Sequence, residues 1–555
     1  MNARTTELIP HPAGEQSQVE ERFATADTFG GRVQVEWDPA CPVTPLGQLP
    51  FFIDYLKQGG VFDAWVADCP LVLSSPNAPR RRDLLGTLLL STLAGHYRYA
   101  HVTSLRCDAV NPPLLGMNKL VSEDSLRRNL AKIDETAGLN WLQNHLDCCT
   151  TPLLSEPWVL DIDTTAKPLY GHQEGAAVGY NPHKPGRPSH SYHTYIVSSL
   201  RLVLRVDVLP GDEHNVAHAT GSLWRLLDRL GRARWPSLLR GDKSWGIEPV
   251  MAGAEQRGLP YLFRLRLTKN VRGALERAMR EADWTDAGQG WQGKETALRL
   301  MGWSRQRRII LLRRKLRGDV AMAEDAHPAQ KRLSFAAIDS NGEVWEYAAL
   351  VTSLANEILT LGQLYRDRAD CENAFDELKN QWGWGGFMTQ DLKRCRLLAG
   401  VVALVYNWWS LFVRLADPDH HREAMTTRPL LLTAVARRTR HAGQVKLTIS
   451  SSHAGQHVAR RAYVRIARFF AELRTNAEQL DPLQRWYRIL SEALRYFLKG
   501  RQLDPPVRLK FSPAEPGLIT YRGLSVRAKI GPTRSTTAGS SPSFRNLRLR
   551  PTAKA

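Results

Sequence analysis

Cysteine is scarce in this chain of 555 residues, and its spacing excludes two kinds of small scaffold. The seven cysteines include no Cys-x-x-Cys pair, and Cys148 and Cys149 are adjacent. Disulfide-stapled secreted domains and zinc ribbons need more cysteines at regular spacings. The composition therefore argues against both classes and favours a protein of a reducing compartment.

Long uninterrupted apolar runs are also missing. Residues 84–95 form an apolar run that is too short to cross a bilayer, and Asn407 and Ser410 interrupt the longer run at residues 397–413. The first 23 residues lack the apolar core of a secretory signal. We therefore expect both runs to be buried helices, no membrane partner, and a cytoplasmic location.

Acidic residues are too few to balance the basic ones. The chain has 75 Lys and Arg against 55 Asp and Glu, which gives a net charge of +20 and a pI near 9.8. A positive charge that is spread along the chain favours a polyanionic partner, and nucleic acid is the commonest one. An acidic membrane surface, or solubility alone, would account for the same balance.

The hydrophobic period changes along the chain and divides it into segments. Helical periods predominate first, strands then alternate with helices, and strands next follow one another directly. This order predicts an α/β sheet with parallel strands and a β-rich insertion. The predicted segments are a flexible N-terminus (1–30), a helical domain (31–154), a first part of the α/β core (155–269), the insertion (270–355), the rest of the core (356–420), a C-terminal helical region (421–499) and a basic flexible tail (500–555).

The segment LYRDRADCENAFDELKNQWGWGG, which begins at Leu364, has the period of one amphipathic helix. Tyr365, Arg368, Glu372 and Lys379 fall on one face at about 100° per residue. Glu372 is then held between two cations, where an ionised carboxylate can bind a hard metal ion. Taken alone, an ordinary salt-bridged helix would carry the same charges. An apolar stripe lies next to this face and comprises Leu364, Cys371, Phe375, Leu378 and Trp382.

Two predicted strands end in acids. The segment PWVLDIDTT places Asp161 and Asp163 on one face of a buried strand, and LLRGD ends at Asp242. Such strand ends are where α/β sheets usually place their sites. Asp163, Asp242 and Glu372 can therefore converge on two Mg²⁺ ions, which activate water or a 3′-hydroxyl at a phosphodiester. Asp161 is an alternative to Asp163.

Together these motifs resemble those of bacterial insertion-sequence transposases of the DDE type, in the subgroup with a Tyr-x2-Arg-x3-Glu-x6-Lys helix. Tyr365, Arg368, Glu372 and Lys379 match that signature in full. DIDTT resembles the first-Asp motif, LRGDKSWG resembles the second, and GYNPHKPGRPSH resembles a loop found in relatives. The resemblance extends over roughly residues 155–415.

The resemblance implies a fold and a metal site. It implies an α/β ribonuclease-H-like catalytic core, a mixed five-stranded sheet with helices, in which the first Asp lies on the first strand and the second follows the fourth. Asp163, Asp242 and Glu372 would be the catalytic metal ligands, with two Mg²⁺ ions, or Mn²⁺, as cofactor. Relatives can carry a further acid after the second Asp. Here Lys243 and Ser244 stand there, so no fourth ligand is assigned.

The resemblance also implies a reaction and its partners. The expected function is that of a DNA transposase, which binds the terminal inverted repeats of its element, cleaves by two-metal hydrolysis, and transfers strands through a 3′-hydroxyl. A homodimer or larger synaptic complex on double-stranded DNA, at the bacterial nucleoid, is expected. The expected DNA contacts are Tyr365, Arg368, Lys379, Lys184 and Arg187.

Two alternatives keep the fold and change the function. One is a ribonuclease-H-like nuclease without strand transfer, and the other is a catalytically silent DNA-binding inhibitor of transposition. The complete set of acids argues against the silent protein. Paired arginines in the helical N-terminal domain, together with the basic tail, favour a protein that holds specific DNA ends, although a solvated basic face would carry the same arginines.

Overall fold

Helices form most of the N-terminal part of the chain. The computed structural model describes residues 23–38, 41–179, 181, 184–214, 216–316, 336–338, 344–384, 386–387, 389–418, 421–451, 455–476 and 479–505. Its first helices are α1 (Leu49–Gly59), α2 (Val61–Ala67), α3 (Arg81–Leu93), α4 (Val102–Leu105), α5 (Asn111–Leu114), α6 (Glu123–Ala131) and α7 (Glu135–Thr150).

The segments predicted as flexible (1–30) and helical (31–154) also contain strands, which corrects both predictions. Strands β1 (Phe23–Thr28) and β2 (Gly31–Glu36) form a hairpin, and β3 (Val43–Thr44) is a short strand. Alternating Val33 and Val35 after the Phe29-Gly30 turn favour a hairpin over a helix. Residues 1–22 lie outside the described residues.

A mixed sheet with helices occupies the centre of the chain, as predicted. Strand β4 is antiparallel to β6 and parallel to β8, β8 is parallel to β9, and β6 is antiparallel to β7. The resulting spatial order is β7-β6-β4-β8-β9. The elements are β4 (Val159–Pro168), β5 (Ala177–Val178), β6 (Pro188–Val197), β7 (Leu202–Pro210), α8 (Val216–Leu230), β8 (Leu238–Gly241), α9 (Glu248–Gln256) and β9 (Tyr261–Arg264).

The sheet does not end after five strands, which corrects the prediction. The segment predicted as β-rich begins with a helix, and its last strand pairs antiparallel with β9. This pairing covers what would be an open sheet edge. Within the part of the chain that the structure describes, the sheet has eleven strands. The added elements are α10 (Lys269–Met279), β10 (Thr285–Gly288), β11 (Trp291–Leu298), β12 (Arg307–Lys315), β13 (Ala336–Ile338) and β14 (Val344–Thr352).

Three helices follow the last of these strands. They are α11 (Ile358–Arg366), α12 (Ala369–Gln381) and α13 (Leu392–Ala416). Helix α13 has the length and apolar composition of a membrane span, but 94% of its most apolar window is buried inside the protein. It packs against α7 and β7 and is the central core helix of the fold. The prediction that this run is a buried helix is confirmed.

The C-terminal region predicted as helical (421–499) contains a β-hairpin, which corrects that prediction. Val445, Leu447 and Ile449 alternate after an Ala-Gly turn, and this period of two is a strand signal. The basic tail predicted from residue 500 lies outside the described residues after 505. The elements are α14 (Ala424–Leu431), β15 (Ala436–His441), β16 (Gln444–Ile449), α15 (Gln456–Thr475) and α16 (Pro482–Ala493).

Asn407 connects the central helix to the sheet. Its side chain accepts a hydrogen bond of 2.8 Å from the Val203 N–H and donates one of 2.8 Å to the Val203 carbonyl. Asn407 is fully buried, so water cannot replace these bonds. The polar residue that interrupts the apolar run therefore satisfies the backbone of β7.

Replacement of Asn407 by Leu should destabilise the protein although it makes α13 more apolar. The change leaves the N–H and carbonyl of Val203 without partners, and we expect the free energy of unfolding to fall by about 2–4 kcal/mol. Chemical denaturation measures the difference. The same substitution at the exposed Asn476, at the end of α15, is the control and should change it little. Equal effects at the two positions would contradict this role.

Candidate active site

Strand β4 carries both candidates for the first acid. Asp161 and Asp163 are two residues apart and therefore lie on the same face. Asp161 is fully buried, and both of its carboxylate oxygens accept hydrogen bonds of 2.6 Å from Arg240. Asp163 leaves 21% of its side chain exposed. Asp161 is thus neutralised inside the protein, whereas Asp163 is accessible to a ligand.

The second candidate acid lies beside the first because their strands are parallel neighbours. Gly241 of β8 pairs with Ile162 of β4, so the residues that follow them, Asp242 and Asp163, are adjacent where β8 ends. The Ser244 N–H donates to Asp242 Oδ1 at 2.9 Å, which orients the carboxylate. Strand pairing therefore brings together two acids that are distant in the sequence.

The segment that was predicted as one helix forms two, which corrects the prediction. Tyr365 lies in the last turn of α11, Arg368 immediately precedes α12, and Glu372 and Lys379 lie on α12. The apolar stripe of the segment packs into the core as predicted. Its fully or nearly fully buried members are Cys371, Phe375, Leu378 and Trp382.

The helix breaks because a side chain intercepts its hydrogen-bond ladder. The Arg240 guanidinium donates to the carbonyl oxygen of Leu364, which in a continuous helix would accept from the Arg368 N–H. That N–H bonds instead to the Tyr365 carbonyl at 3.2 Å, in a tighter turn. Arg240 thus sets the point at which α11 gives way to α12.

Arg368 connects the first and third candidate acids. Its guanidinium donates to Asp163 Oδ1 at 2.7 Å and also to Glu372 Oε1. The Arg368 side chain is 4% exposed, whereas that of Glu372 is 63% exposed. Asp163 therefore lies deeper in the site, Glu372 lies at its rim, and a buried cation lies between them.

The charges of the site perturb its pKa values. Burial raises the pKa of Asp163 to about 7, since Arg368 opposes this shift only in part while Asp242 and Glu372 add to it. Burial also works against the charge on Arg368, yet the nearby carboxylates, Asp163 foremost, hold its pKa above the ordinary value. Three carboxylates around one guanidinium leave an excess of negative charge, which favours a bound cation.

Of the other predicted contacts, Tyr365 lies within the field of the acids. Burial raises its pKa, which the charges of Arg368, Arg264, Asp242 and Glu372 also influence. Lys379 is half-buried on α12, about two turns after Glu372. Tyr365, Arg368 and Glu372 therefore lie near one another in spite of the break, and Lys379 follows Glu372 along α12.

Lys184 and Arg187 form a separate group. Both side chains are exposed and lie over the ring of Tyr170, with the Lys184 Nζ at 4.9 Å and the Arg187 Cζ at 4.8 Å from its centroid. Their side chains thus contact Tyr170 rather than the candidate acids. The loop presents two cations that are oriented by an aromatic ring.

The three candidate acids suit a hard divalent cation, provided that the cation displaces Arg368. Asp163, Asp242 and Glu372 offer carboxylate oxygens, the ligand class that Mg²⁺ and Mn²⁺ favour. Among the residues that the structure describes, however, no group of three or more His, Cys, Asp or Glu side chains is arranged to hold an ion. Arg368 bonds to two of the three acids. A cation that binds among them has to displace this guanidinium.

The sequence carries a signal for Arg240 that lies outside the matched signature. Arg240 and Asp242 are separated by one residue, as are Asp161 and Asp163. In the parallel pair of strands, Arg240 pairs with Asp161. Once β4 and β8 pair in this register, the matched spacing accounts for both the ion pair and the neighbouring pair of acids.

Asp163 should make stability depend on pH in the presence of a chelator. Its folded-state pKa of about 7 lies above the value near 4 of an unfolded Asp, so the folded state binds more protons between these pH values and wild type loses stability as pH rises. We expect the free energy of unfolding of Asp163→Asn, measured relative to that of wild type, to rise by roughly 3 kcal/mol from pH 4 to pH 7, at about 1.4 kcal/mol per unit of pKa. Thermal denaturation across this range checks it. Asp376→Asn, an exposed change on α12, should show no such trend, and a flat difference for Asp163→Asn would contradict the pKa.

The chain is distantly similar to solved structures, one of which is a complex of a transposase with DNA. The cryo-EM structure of a piggyBac transposase synaptic complex with hairpin DNA is 12% identical, covers 85% of this chain and 88% of its own, and has a TM-score of 0.36. No curated protein matches the chain.

A family model also matches the chain. The model described as Transposase DDE domain group 1 matches residues 78–471, which is most of the chain. The match spans strand β4, the end of β8 and helix α12, and so includes all three candidate acids. The chain therefore belongs to the DDE transposase family, group 1.

Proposed function

We propose that the protein is a metal-dependent DNA transposase whose catalytic residues are Asp163, Asp242 and Glu372. One observation carries the proposal. The pairing of β4 with β8 sets Asp242 beside Asp163, and Arg368 bonds to both Asp163 and Glu372. The three carboxylates would hold two Mg²⁺ ions, or Mn²⁺, which supply an activated water or 3′-hydroxyl and stabilise the leaving oxygen.

The residues around the acids would position the DNA. Once displaced from the carboxylates, Arg368 would bind a phosphate near the cut end, with Tyr365 at the end of α11 and Lys379 farther along α12 as further contacts. Lys184 and Arg187 would contact the backbone farther along. Contacts of this kind hold DNA without selecting its sequence.

The proposal extends to the architecture and the partners. Strands β7, β6, β4, β8 and β9 would form a ribonuclease-H-like core, and residues 31–154 would bind the terminal inverted repeats of an insertion sequence. The strand order, with the first acid on the first strand of the core and the second after the fourth, supports this. The protein would act at the bacterial nucleoid, as a homodimer or larger synaptic complex, and join DNA through a 3′-hydroxyl.

The alternatives differ from this proposal in their products. A nuclease would need the same acids but would leave nicked DNA without joined strands. A silent inhibitor would need no accessible acids, whereas Asp163 and Glu372 are both accessible. Exposure of the acids therefore favours an enzyme, and the appearance of joined products separates a transposase from a nuclease.

Neutral substitutions of the three acids should abolish cleavage and preserve DNA binding. With Mg²⁺ and DNA that carries the inverted repeats flanking the gene, we expect Glu372→Gln, Asp163→Asn and Asp242→Asn each to cut at least about 100-fold more slowly. Binding should remain close to that of wild type, because the changes remove negative charge. Gel analysis of cut and joined products, with a parallel binding assay, measures both quantities.

The control for this experiment is Asp376→Asn, an exposed acid on the same helix as Glu372. It should cut at the wild-type rate. Wild-type cleavage by Glu372→Gln would remove this residue from the catalytic set, and cleavage without joined products would favour the nuclease.

The Asp161–Arg240 pair should affect stability and cleavage in ways that a double variant separates. Arg240→Met leaves the buried carboxylate of Asp161 without its ion-pair partner, and we expect a loss of about 3–5 kcal/mol in the free energy of unfolding. The double variant Asp161→Leu/Arg240→Met removes both charges and should regain most of that loss. Because Leu364 still lacks its bond to the guanidinium, cleavage should stay at least about 10-fold below wild type. A stable double variant with wild-type cleavage would show that Arg240 does not position α12.

A further inference from the structure

One stretch of the chain carries many basic residues and no acid. Residues 424–471 include nine Lys and Arg and no Asp or Glu. The stretch contains the hairpin of β15 and β16 and most of helix α15. It lies apart in the sequence from the segments that carry the candidate acids, so the site described above does not account for its charge.

One face of the hairpin carries its apolar side chains together with Arg438 and Arg440, and the other face is polar throughout. Residues that lie opposite each other in an antiparallel pair share a face, and Leu447 lies opposite Arg438 as Ile449 lies opposite Ala436. Leu447 and Ile449 line a groove of about 580 Å³ that Tyr463 of α15 also lines. The opposite, outward face carries only polar side chains, namely Arg437, Thr439, His441, Gln444, Lys446 and Thr448.

The cations of the hairpin are exposed and available. The side chains of Arg437, Arg440 and Lys446 are exposed, and no salt bridge involves them within the described parts of the chain. Arg460 of α15 is also exposed and lines the groove beside the hairpin. The surface is therefore positive, with no carboxylate of its own stretch to neutralise it.

The hairpin is held rigidly at its base and is narrow at its tip. Strand β15 pairs with β3, and the Gln48 side chain donates to the carbonyls of Leu430 at 2.9 Å and Thr433 at 3.2 Å. At the tip, Ala442 and Gly443 have φ values of 48° and 77°, which is the conformation of a two-residue type I′ turn. A ribbon of this kind is preorganised to project from the protein.

We propose that the outward face of the β15–β16 hairpin binds a DNA duplex, with the ribbon in the major groove and its cations on the phosphate backbone. The major groove admits a two-stranded ribbon, and six-residue strands span about 20 Å. Charge complementarity selects the polyanion. The outward face has no apolar side chain to insert into a lipid surface, which favours DNA over a membrane. The proposal rests on the proposed function, in which DNA is the partner.

The test is the salt dependence of DNA binding by the full chain. The double variant Arg437→Gln/Lys446→Gln, which removes both Lys and Arg cations of the outward face, should bind a fluorescent duplex of about 30 base pairs roughly 10-fold more weakly at low salt, and its slope of log affinity against log salt should fall by about 2. The control Lys57→Gln/Arg280→Gln removes two exposed cations from other elements. It should change the slope by less than one, and both variants should melt near the wild-type temperature, because the altered side chains are exposed.

The outcomes separate this proposal from the proposed function. If wild type cuts DNA and the hairpin variant binds with the wild-type slope, or no more weakly than the control, the hairpin proposal is overturned and the transposase stands. If the hairpin variant loses DNA binding while wild type does not cut, the hairpin proposal stands and the catalytic one fails. Loss of binding to phosphatidylserine vesicles with unchanged DNA binding would overturn the hairpin proposal in favour of a lipid surface.

Discussion

The buried guanidinium of Arg240, on β8, bonds to β4 and to α11, the helix that leads directly into α12. It pairs with Asp161, two residues before Asp163 on β4, and is itself two residues before Asp242. It also donates to the Leu364 carbonyl near the end of α11. A single side chain thus fixes two strands and the start of the helix that carries the third acid. Removal of one partner from a buried pair leaves an uncompensated charge, so the arrangement is costly to disturb.

Arg368 also connects two segments through ion pairs, at the candidate acids themselves. Unlike Arg240, it has to leave its partners when a metal ion binds. It bonds to both Asp163 and Glu372, and the carboxylates in turn hold its charge in a buried position. Arg368 lowers the pKa of Asp163, but burial, with the charges of Asp242 and Glu372, still raises it to about 7. The site therefore stores a charge imbalance that a divalent cation and a DNA phosphate together would relieve, the cation at the carboxylates and the phosphate at the arginine.

The sequence was sufficient to predict those strands and helices that follow from the local spacing of apolar residues. The buried strand through Asp163, the strand that ends at Asp242, the buried helix over residues 397–413 and the apolar stripe through Trp382 all follow from spacing and hydropathy. The parts that were missed depend on tertiary contacts. The break between α11 and α12 depends on Arg240, which comes from another strand, and the joining of β14 to β9 depends on the need to cover an edge.

The hairpin of β15 and β16 was missed for a different reason, because its alternation was visible but its surroundings were helical. Sequence spacing indicated the three candidate acids, whereas their spatial relation depends on the strand register and on the position of Arg368, neither of which a single segment determines.

The measurement that tests the central claim most directly is a crystal structure of the protein soaked with Mn²⁺, viewed by anomalous scattering. The account predicts anomalous density among Asp163, Asp242 and Glu372, with Arg368 turned away from both acids that it now binds. Mn²⁺ bound elsewhere, or Arg368 unmoved with no density among the three carboxylates, would contradict it.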